Sequence, residues 1–140
     1  MNSKLIDAHI HLDHYEDSEI KTIVESSDFL ESLITVSFDL NSCKRNKQLS
    51  EMYAKVIPAF GFHPEQALPS EQQLDELHAW MTKHRHEMIA IGEVGLPYYK
   101  RVEGGISGKE FGRYNEVLEG FIKKAKEWEK PIVLHAVYDD

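Results

Sequence analysis

Short apolar runs alternate with segments of helical periodicity along the chain, and this alternation constrains the fold more than any other feature of the sequence. The apolar runs predict five strands, which fall within 5–13, 29–38, 56–60, 88–92 and 132–135. Apolar residues at helical spacing predict four helices, at 19–26, at 42–55, from 70 onward and at about 109–128. Connections this short favour right-handed parallel crossovers. The fold is therefore either a doubly wound open sheet or a (β/α)₈ barrel.

The polar residues at the strand ends decide between these two architectures. Imidazole or carboxylate side chains fall at or just past the carboxyl ends of the predicted strands, at His9, His11, Asp39, His63, Glu93 and His135. Reactive groups spread over the ends of nearly every strand are typical of the barrel, whereas an open sheet concentrates its site at one switch point. The sequence therefore predicts an α/β fold of the (β/α)₈ TIM-barrel type, with only about the first five strands and four helices present.

Local signals refine the helix boundaries. Ser42 and Ser70 are expected as N-caps, and Gln73 stands at the capping-box position after Ser70. The stretch 95–108 contains four glycines and little periodicity, so it is expected to be a loop.

Composition limits the classes of function. The 140 residues fit one domain, and the net charge of −8 argues against broad electrostatic capture of nucleic acid. A phosphate-containing substrate stays possible, because bound divalent ions reverse the local potential. The single cysteine, Cys43, excludes an internal disulfide and a cysteine-based zinc site. No run approaches the roughly 18 apolar residues of a membrane span, and no secretory signal is visible, so a cytoplasmic protein is expected.

The eight histidines divide by position. His9 and His11 are two residues apart on a strand, so both project from one side as a candidate metal clamp, the alternative being two surface histidines. His78, His84 and His86 lie on or after the third predicted helix and are expected to be ordinary surface or half-buried residues, while His14 is undecided. Glu93 could bridge two cations or act as a cap or salt-bridge acid, and Asp39 could be an ordinary turn residue.

Four motifs in order resemble the TatD-like branch of the amidohydrolase superfamily. They are His9-Ile10-His11-Leu12-Asp13, Gly61-Phe62-His63-Pro64, Gly92-Glu93-Val94-Gly95-Leu96 with Tyr98-Tyr99, and Pro131-Ile132-Val133-Leu134-His135. The resemblance covers nearly the whole chain. It implies a single-domain barrel that hydrolyses phosphodiesters, typically as a metal-dependent deoxyribonuclease, by attack of a metal-activated water on phosphorus.

The resemblance also implies roles for individual residues. His9 and His11 match the ligands of one metal, Glu93 the acid that bridges two metals, and His135 a ligand of the second metal. His63 matches a histidine that contacts the substrate phosphate, and Tyr98 is expected to contact substrate. Glu93 and His63 are the expected catalytic residues. Two divalent ions are implied, with zinc, manganese, magnesium, nickel and iron all open.

The chain departs from the family in two local motifs and in length. Pro97 replaces an aspartate, and Ala136, Val137 and Tyr138 follow His135 where an arginine is common. Such barrels need about 250 residues, and the family's sixth-strand histidine and eighth-strand aspartate have no counterpart here. Residues 1–140 are therefore expected to be the N-terminal portion of a single barrel, with uncovered strand edges that invite self-association.

Three functions stay open at this point. The first is a divalent-metal phosphodiesterase or deoxyribonuclease acting on DNA. The second, kept open by the missing arginine, is an amide, ester or lactone hydrolase with the same barrel and metal pattern. The third is a catalytically silent, metal-binding or self-associating fragment.

Overall fold

Residues 3–137 form one parallel five-stranded sheet in which the strands follow each other in sequence order, β1-β2-β3-β4-β5. The structure is a computed structural model and describes residues 3–137. The strands are β1 (Leu5–Ile10), β2 (Leu30–Thr35), β3 (Val56–Phe60), β4 (Ala90–Gly95) and β5 (Ile132–His135). Every neighbouring pair is parallel, as the alternation predicts.

Helices connect consecutive strands. They are α1 (Asp17–Glu25), α2 (Leu40–Met52), α3 (Glu71–Lys83), the short α4 (Tyr99–Val102) and α5 (Gly108–Trp128), and a single 3-10 turn spans Leu12–His14. The four longer helices confirm the predicted ones, with shifts of a few residues at their ends. The expectation of a loop throughout 95–108 is wrong at α4, which is too short for its periodicity to be recognised in sequence.

One of the two predicted helix N-caps is confirmed, and the other is wrong. Ser70 and Gln73 form the predicted reciprocal capping box of α3. The prediction for α2 is wrong, because Asp39 is the N-cap and its side chain accepts the backbone N–H of Ser42. The Ser42 hydroxyl instead accepts the N–H of Phe38 and donates to Asp13.

β4 extends further than its apolar run. The run ends at Gly92, which predicted that Glu93 follows the strand, whereas β4 continues to Gly95 and includes Glu93. Every residue of β4 is buried, so this acid projects from a covered strand rather than from an exposed turn.

Two apolar clusters join the helices to the sheet. One packs α3 and α5 against β3 and β4, around the fully buried Phe60, Ile91 and Phe121. The other packs α1 and α2 against the first strands, around Ile20, Leu33 and Leu49. β1 and β5 are the two edges of the sheet, and Leu5 and Ile6 of β1 are 57% and 58% exposed. Within residues 3–137, no helix has the length and apolar content needed to cross a membrane.

Candidate metal centre

Four histidines surround the carboxylate of Glu93. One oxygen, Oε2, lies 3.2 Å from Nε2 of His9, 3.2 Å from Nε2 of His11 and 3.6 Å from Nε2 of His63. The other oxygen, Oε1, lies 3.2 Å from Nδ1 of His135. The side chain of Glu93 is only 6% exposed, so the acid lies at the centre of the imidazoles and below the surface.

The parallel sheet accounts for this convergence. His9 lies near the end of β1 and His11 immediately after it, His63 lies in the loop after β3, and His135 is the last residue of β5. The carboxyl ends of parallel strands meet on one side of a barrel, so residues far apart in sequence become neighbours. The predicted same-side orientation of His9 and His11 is confirmed, because both Nε2 atoms face the same oxygen of Glu93.

Buried and partly buried hydrogen bonds hold the segment that follows β1 in place. The Thr35 hydroxyl accepts the N–H of Leu12 at 3.1 Å and donates to the Asn46 side chain at 2.8 Å. The Ser42 hydroxyl donates to Asp13 at 2.6 Å. These bonds connect the segment that carries His11 to β2 and α2.

The electrostatics favour an ionised acid in this cluster. Burial opposes ionisation, but the neighbouring His11, His63 and His9 imidazoles outweigh it and lower the pKa of Glu93 to about 2. The Glu93 carboxylate raises the pKa of His11, whereas burial lowers the pKa of His63. The centre therefore combines one carboxylate anion with imidazoles of unlike basicity.

The donor set fits a divalent metal. Ligand atoms lie within 4.8 Å of one another in two groups that share Glu93, namely His9–His11–Glu93 and His63–Glu93–His135. The Oε2 atom of Glu93 is buried and has no hydrogen-bond partner among the described residues, although two imidazole nitrogens lie 3.2 Å away. A buried anion without a hydrogen bond is costly, and a cation between it and the imidazoles would remove that cost. Imidazole and carboxylate ligands suit zinc, manganese, nickel and iron.

Glu65 belongs to the centre, and the motif reasoning missed it. It lies two residues after His63, and its Oε1 atom is 3.3 Å from Nε2 of His135. Burial raises its pKa, but the backbone N–H groups of Lys100, Tyr99 and Tyr98 outweigh that effect, so the pKa of Glu65 lies below its usual range. An acid directly after the Gly61–Pro64 motif was the available signal in the sequence.

The tyrosine expected to contact substrate lies beside the centre. Tyr98 lines a cavity of about 270 Å³ together with Pro97, Arg101 and His135. The ring of its neighbour Tyr99 lies 6.4 Å from the His135 ring, centroid to centroid. Ala136 and Val137 follow His135 as exposed residues, and Tyr138 lies outside the described residues.

The remaining histidines and Asp39 lie outside both ligand groups. His14 stacks on His11 with ring centroids 5.1 Å apart, but its side chain is 53% exposed. His78 lies on α3, and His84 and His86 follow that helix, as predicted. Asp39 caps α2, which favours the ordinary structural role for it.

A parallel α/β fold with histidines and a carboxylate at the carboxyl ends of its strands is typical of metal-dependent barrel hydrolases. A family model described as TatD related DNase matches residues 6–138. The chain therefore belongs to the TatD family, which confirms the resemblance of the four motifs.

Individual relatives agree with this assignment. An uncharacterised metal-dependent hydrolase of Haemophilus influenzae is 40% identical over 137 residues, which are 97% of this chain and 53% of that protein. Deoxyribonuclease TATDN3 of Homo sapiens is 30% identical over 94% of this chain and 52% of its own length. The chain thus spans about half the length of these relatives.

Solved structures confirm the fold. The TatD homologue YjjV of Escherichia coli K12 matches 96% of this chain and 51% of its own with a TM-score of 0.78 at 24% identity. A TatD family hydrolase of Entamoeba histolytica matches 97% of this chain and 50% of its own with a TM-score of 0.76 at 22% identity. The predicted partial (β/α)₈ barrel, with five strands present, is therefore correct.

Proposed function

We propose that the protein is a divalent-metal-dependent phosphodiesterase that acts on DNA. The observation that carries this proposal is the convergence of four imidazoles on the buried carboxylate of Glu93. Membership of the TatD family supports it, as does the relative named deoxyribonuclease TATDN3. A cytoplasmic location is part of the proposal and rests on the single cysteine in the sequence.

Glu93 would bridge two metal ions in this centre. His9, His11 and Glu93 would hold one ion, and Glu93 and His135 would hold the second. When bound, such a pair of ions activates a water for attack on phosphorus and stabilises the attacking and leaving oxygens. The low pKa of Glu93 keeps the acid ionised, and therefore able to bind cations, throughout the neutral range.

His63 would act on the substrate rather than on a metal. Its Nδ1 atom accepts the backbone N–H of Glu65 at 3.1 Å, so the neutral ring carries its proton on Nε2. An Nε2–H group donates a hydrogen bond and cannot also offer a lone pair to a cation. Because Nε2 points towards Glu93, we propose that it donates to a substrate phosphate oxygen beside the metals.

The cavity beside His135 combines a cationic side chain with a mostly apolar lining. Arg101 lines it, with a guanidinium group that lies 5.1 Å from the centre of the Phe111 ring. Tyr98 lines the same cavity, and we retain it as a substrate contact. A cation and aromatic rings suit a phosphodiester carrying a base.

Hydrolysis of single-stranded DNA by the full chain tests the proposal. Metal-free protein should be inactive and should gain activity with manganese, magnesium or zinc, while simple esters and lactones should stay intact. Glu93→Gln should lose both bound metal and activity, because both ligand groups share this acid. The matched control is His86→Ala, an exposed histidine outside the ligand groups, which should keep both.

Two results would contradict the proposal. Turnover of esters or lactones without turnover of DNA would assign the centre to the other class of hydrolase. Metal binding without any turnover would identify a silent metal-binding protein.

A further inference from the structure

Glu65 is held rigidly at the edge of the metal centre. Its side chain is only 13% exposed, and its carboxylate accepts the backbone N–H groups of Tyr98, of Tyr99 at 2.9 Å and of Lys100 at 3.0 Å. Three donors from one short segment fix the carboxylate in a single orientation. The acid therefore cannot turn away from the histidine that it faces.

That histidine is His135, which lies between two carboxylates. Its Nε2 atom is 3.3 Å from Oε1 of Glu65, and its Nδ1 atom is 3.2 Å from Oε1 of Glu93. An ionised carboxylate only accepts hydrogen bonds, so the neutral ring can donate to one of the two acids. We infer that Glu65 is a positioning residue that keeps the proton of His135 on Nε2 and so presents the Nδ1 lone pair beside Glu93.

The neighbours of the two carboxylates favour Nε2 as the nitrogen of His135 that carries the proton. Glu93 is already surrounded by three other imidazoles, whereas no other imidazole of the described residues contacts the Glu65 carboxylate. A carboxylate that orients a ligating histidine through its second nitrogen is a common device in metal sites and raises the basicity of the ligand. The inference rests on the proposed metal-dependent function.

The backbone of Glu65 also determines which ring nitrogen of a second histidine, His63, carries the proton. The N–H of Glu65 donates to Nδ1 of His63, which leaves the His63 proton on Nε2. Glu65 thus gives the two rings different roles. His135 presents a lone pair on Nδ1, and His63 presents an N–H donor on Nε2. Because one contact uses the side chain and the other the main chain, a substitution at Glu65 separates them.

Nitrogen-15 NMR of the imidazoles in the full, metal-free chain tests the inference directly. At a pH where the spectra themselves show both rings to be neutral, His135 and His63 should each give the signature of an Nε2–H ring. Glu65→Gln keeps the size of the side chain but removes its charge, so the amide is a weaker acceptor for the Nε2–H group of His135 than the carboxylate. His135 should then become a mixture of tautomers, while His63 should be unchanged.

Titration with Zn²⁺, followed on the same resonances, gives a second readout. In Glu65→Gln, Zn²⁺ affinity measured at His135 should fall about 10- to 100-fold, and affinity measured at His9 and His11 should be unchanged. The control is Glu103→Gln, an exposed acid in the same segment, which should behave like the wild type in both experiments.

Different results would contradict the role inferred for Glu65 and the proposed metal-dependent function. An Nδ1–H signature for His135 in the wild type, or a Glu65→Gln variant with an unchanged His135 spectrum and Zn²⁺ affinity, would overturn the inference. If Glu65→Gln does not fold, the wild-type spectrum alone decides. A wild-type chain that binds no metal would remove the proposed function, whereas its tautomer spectrum would still test the role of Glu65.

Discussion

Asn46 is a buried residue on α2 that joins this helix to the end of β2 and to the segment that follows β1. It is completely buried, and its side chain contacts Thr35 at 2.8 Å, the Ser37 hydroxyl at 2.9 Å and the Val36 carbonyl at 3.1 Å. It also donates to Asp13, at 3.4 Å. Because Asp13 lies two residues after His11, Asn46 connects α2 to the segment that carries this candidate metal ligand.

Truncation of this side chain should therefore destabilise the fold. We expect Asn46→Ala to lower the free energy of unfolding by about 3 kcal/mol, because several buried polar groups lose their partner. Urea denaturation measures the difference. The control Gln48→Ala, at an exposed position on the same helix, should change the stability by less than about 0.5 kcal/mol. Equal stability of the two variants would contradict the structural role of Asn46.

His78 is a residue whose protonation should oppose folding. Its ring packs 4.9 Å from that of Phe121, and its Nδ1 atom is buried without a partner among the described residues. Burial, together with the charge of Lys124 and against that of Asp75, lowers its pKa below the ordinary value of 6.5. The unfolded chain therefore binds a proton at His78 more readily than the folded chain does.

The sign of the pH effect follows from linkage. The contribution of His78 is fully present above the unfolded pKa of about 6.5 and is lost as the pH falls through and below that value. We expect His78→Asn to lose less stability than the wild type between about pH 8 and about pH 5. His86→Asn, at an exposed histidine after the same helix, should follow the wild-type profile. Parallel profiles for all three proteins would refute this account of His78.

At the scale of elements, the contact between β4 and β5 places Glu93 next to His135. Gly95 pairs with His135, and a Cβ atom at Gly95 would lie 2.3 Å from the His135 carbonyl oxygen. Real atoms do not approach so closely, so any side chain at this position must push the two strands apart. The glycine is needed here for close packing.

Gly95→Ala should therefore damage both stability and the metal centre. We expect a loss of about 2 kcal/mol from overpacking, together with weaker Zn²⁺ binding at His135. The matched control is Gly112→Ala on α5, where a Cβ atom meets nothing within 4 Å. That change should stabilise the helix by up to about 1 kcal/mol without altering Zn²⁺ binding. Thermal unfolding and Zn²⁺ titration distinguish the two, and an intact Zn²⁺ affinity in Gly95→Ala would contradict the argument.

The strands and the histidines could be predicted from the sequence because their signals are local. Apolar runs identify the strands, and strand-end histidines such as His63 and His135 follow once the strands are known to be parallel. Glu93 was placed after β4 because the apolar run stops at Gly92, but its extended neighbours continue the strand. Glu65 was missed because its importance depends on backbone N–H groups 33 to 35 residues away. The hydrophobic periodicity of a sequence carries no information about contacts between residues so far apart in the chain.

At the scale of the molecule, both edge strands of the described part of the chain carry exposed apolar side chains. Leu5 and Ile6 of β1 and Leu134 of β5 are 57%, 58% and 51% exposed. Each edge strand pairs with a neighbour on one side only, so its other side carries free backbone donors and acceptors. Apolar side chains next to unpaired backbone groups are the usual template for association of strands.

A polypeptide of residues 1–140 should therefore self-associate. We expect its mass in solution to exceed the monomer value of 16.2 kDa and to rise with concentration, because pairing of edges buries apolar area and completes backbone hydrogen bonds. Ile6→Lys and Leu134→Lys should each shift the polypeptide towards the monomer, since a charge on an edge strand opposes pairing. Met52→Lys, at a 64% exposed position on α2, is the control and should leave association unchanged. Light scattering across a concentration series measures all four proteins, and a wild-type monomer at every concentration would show that these edges do not pair.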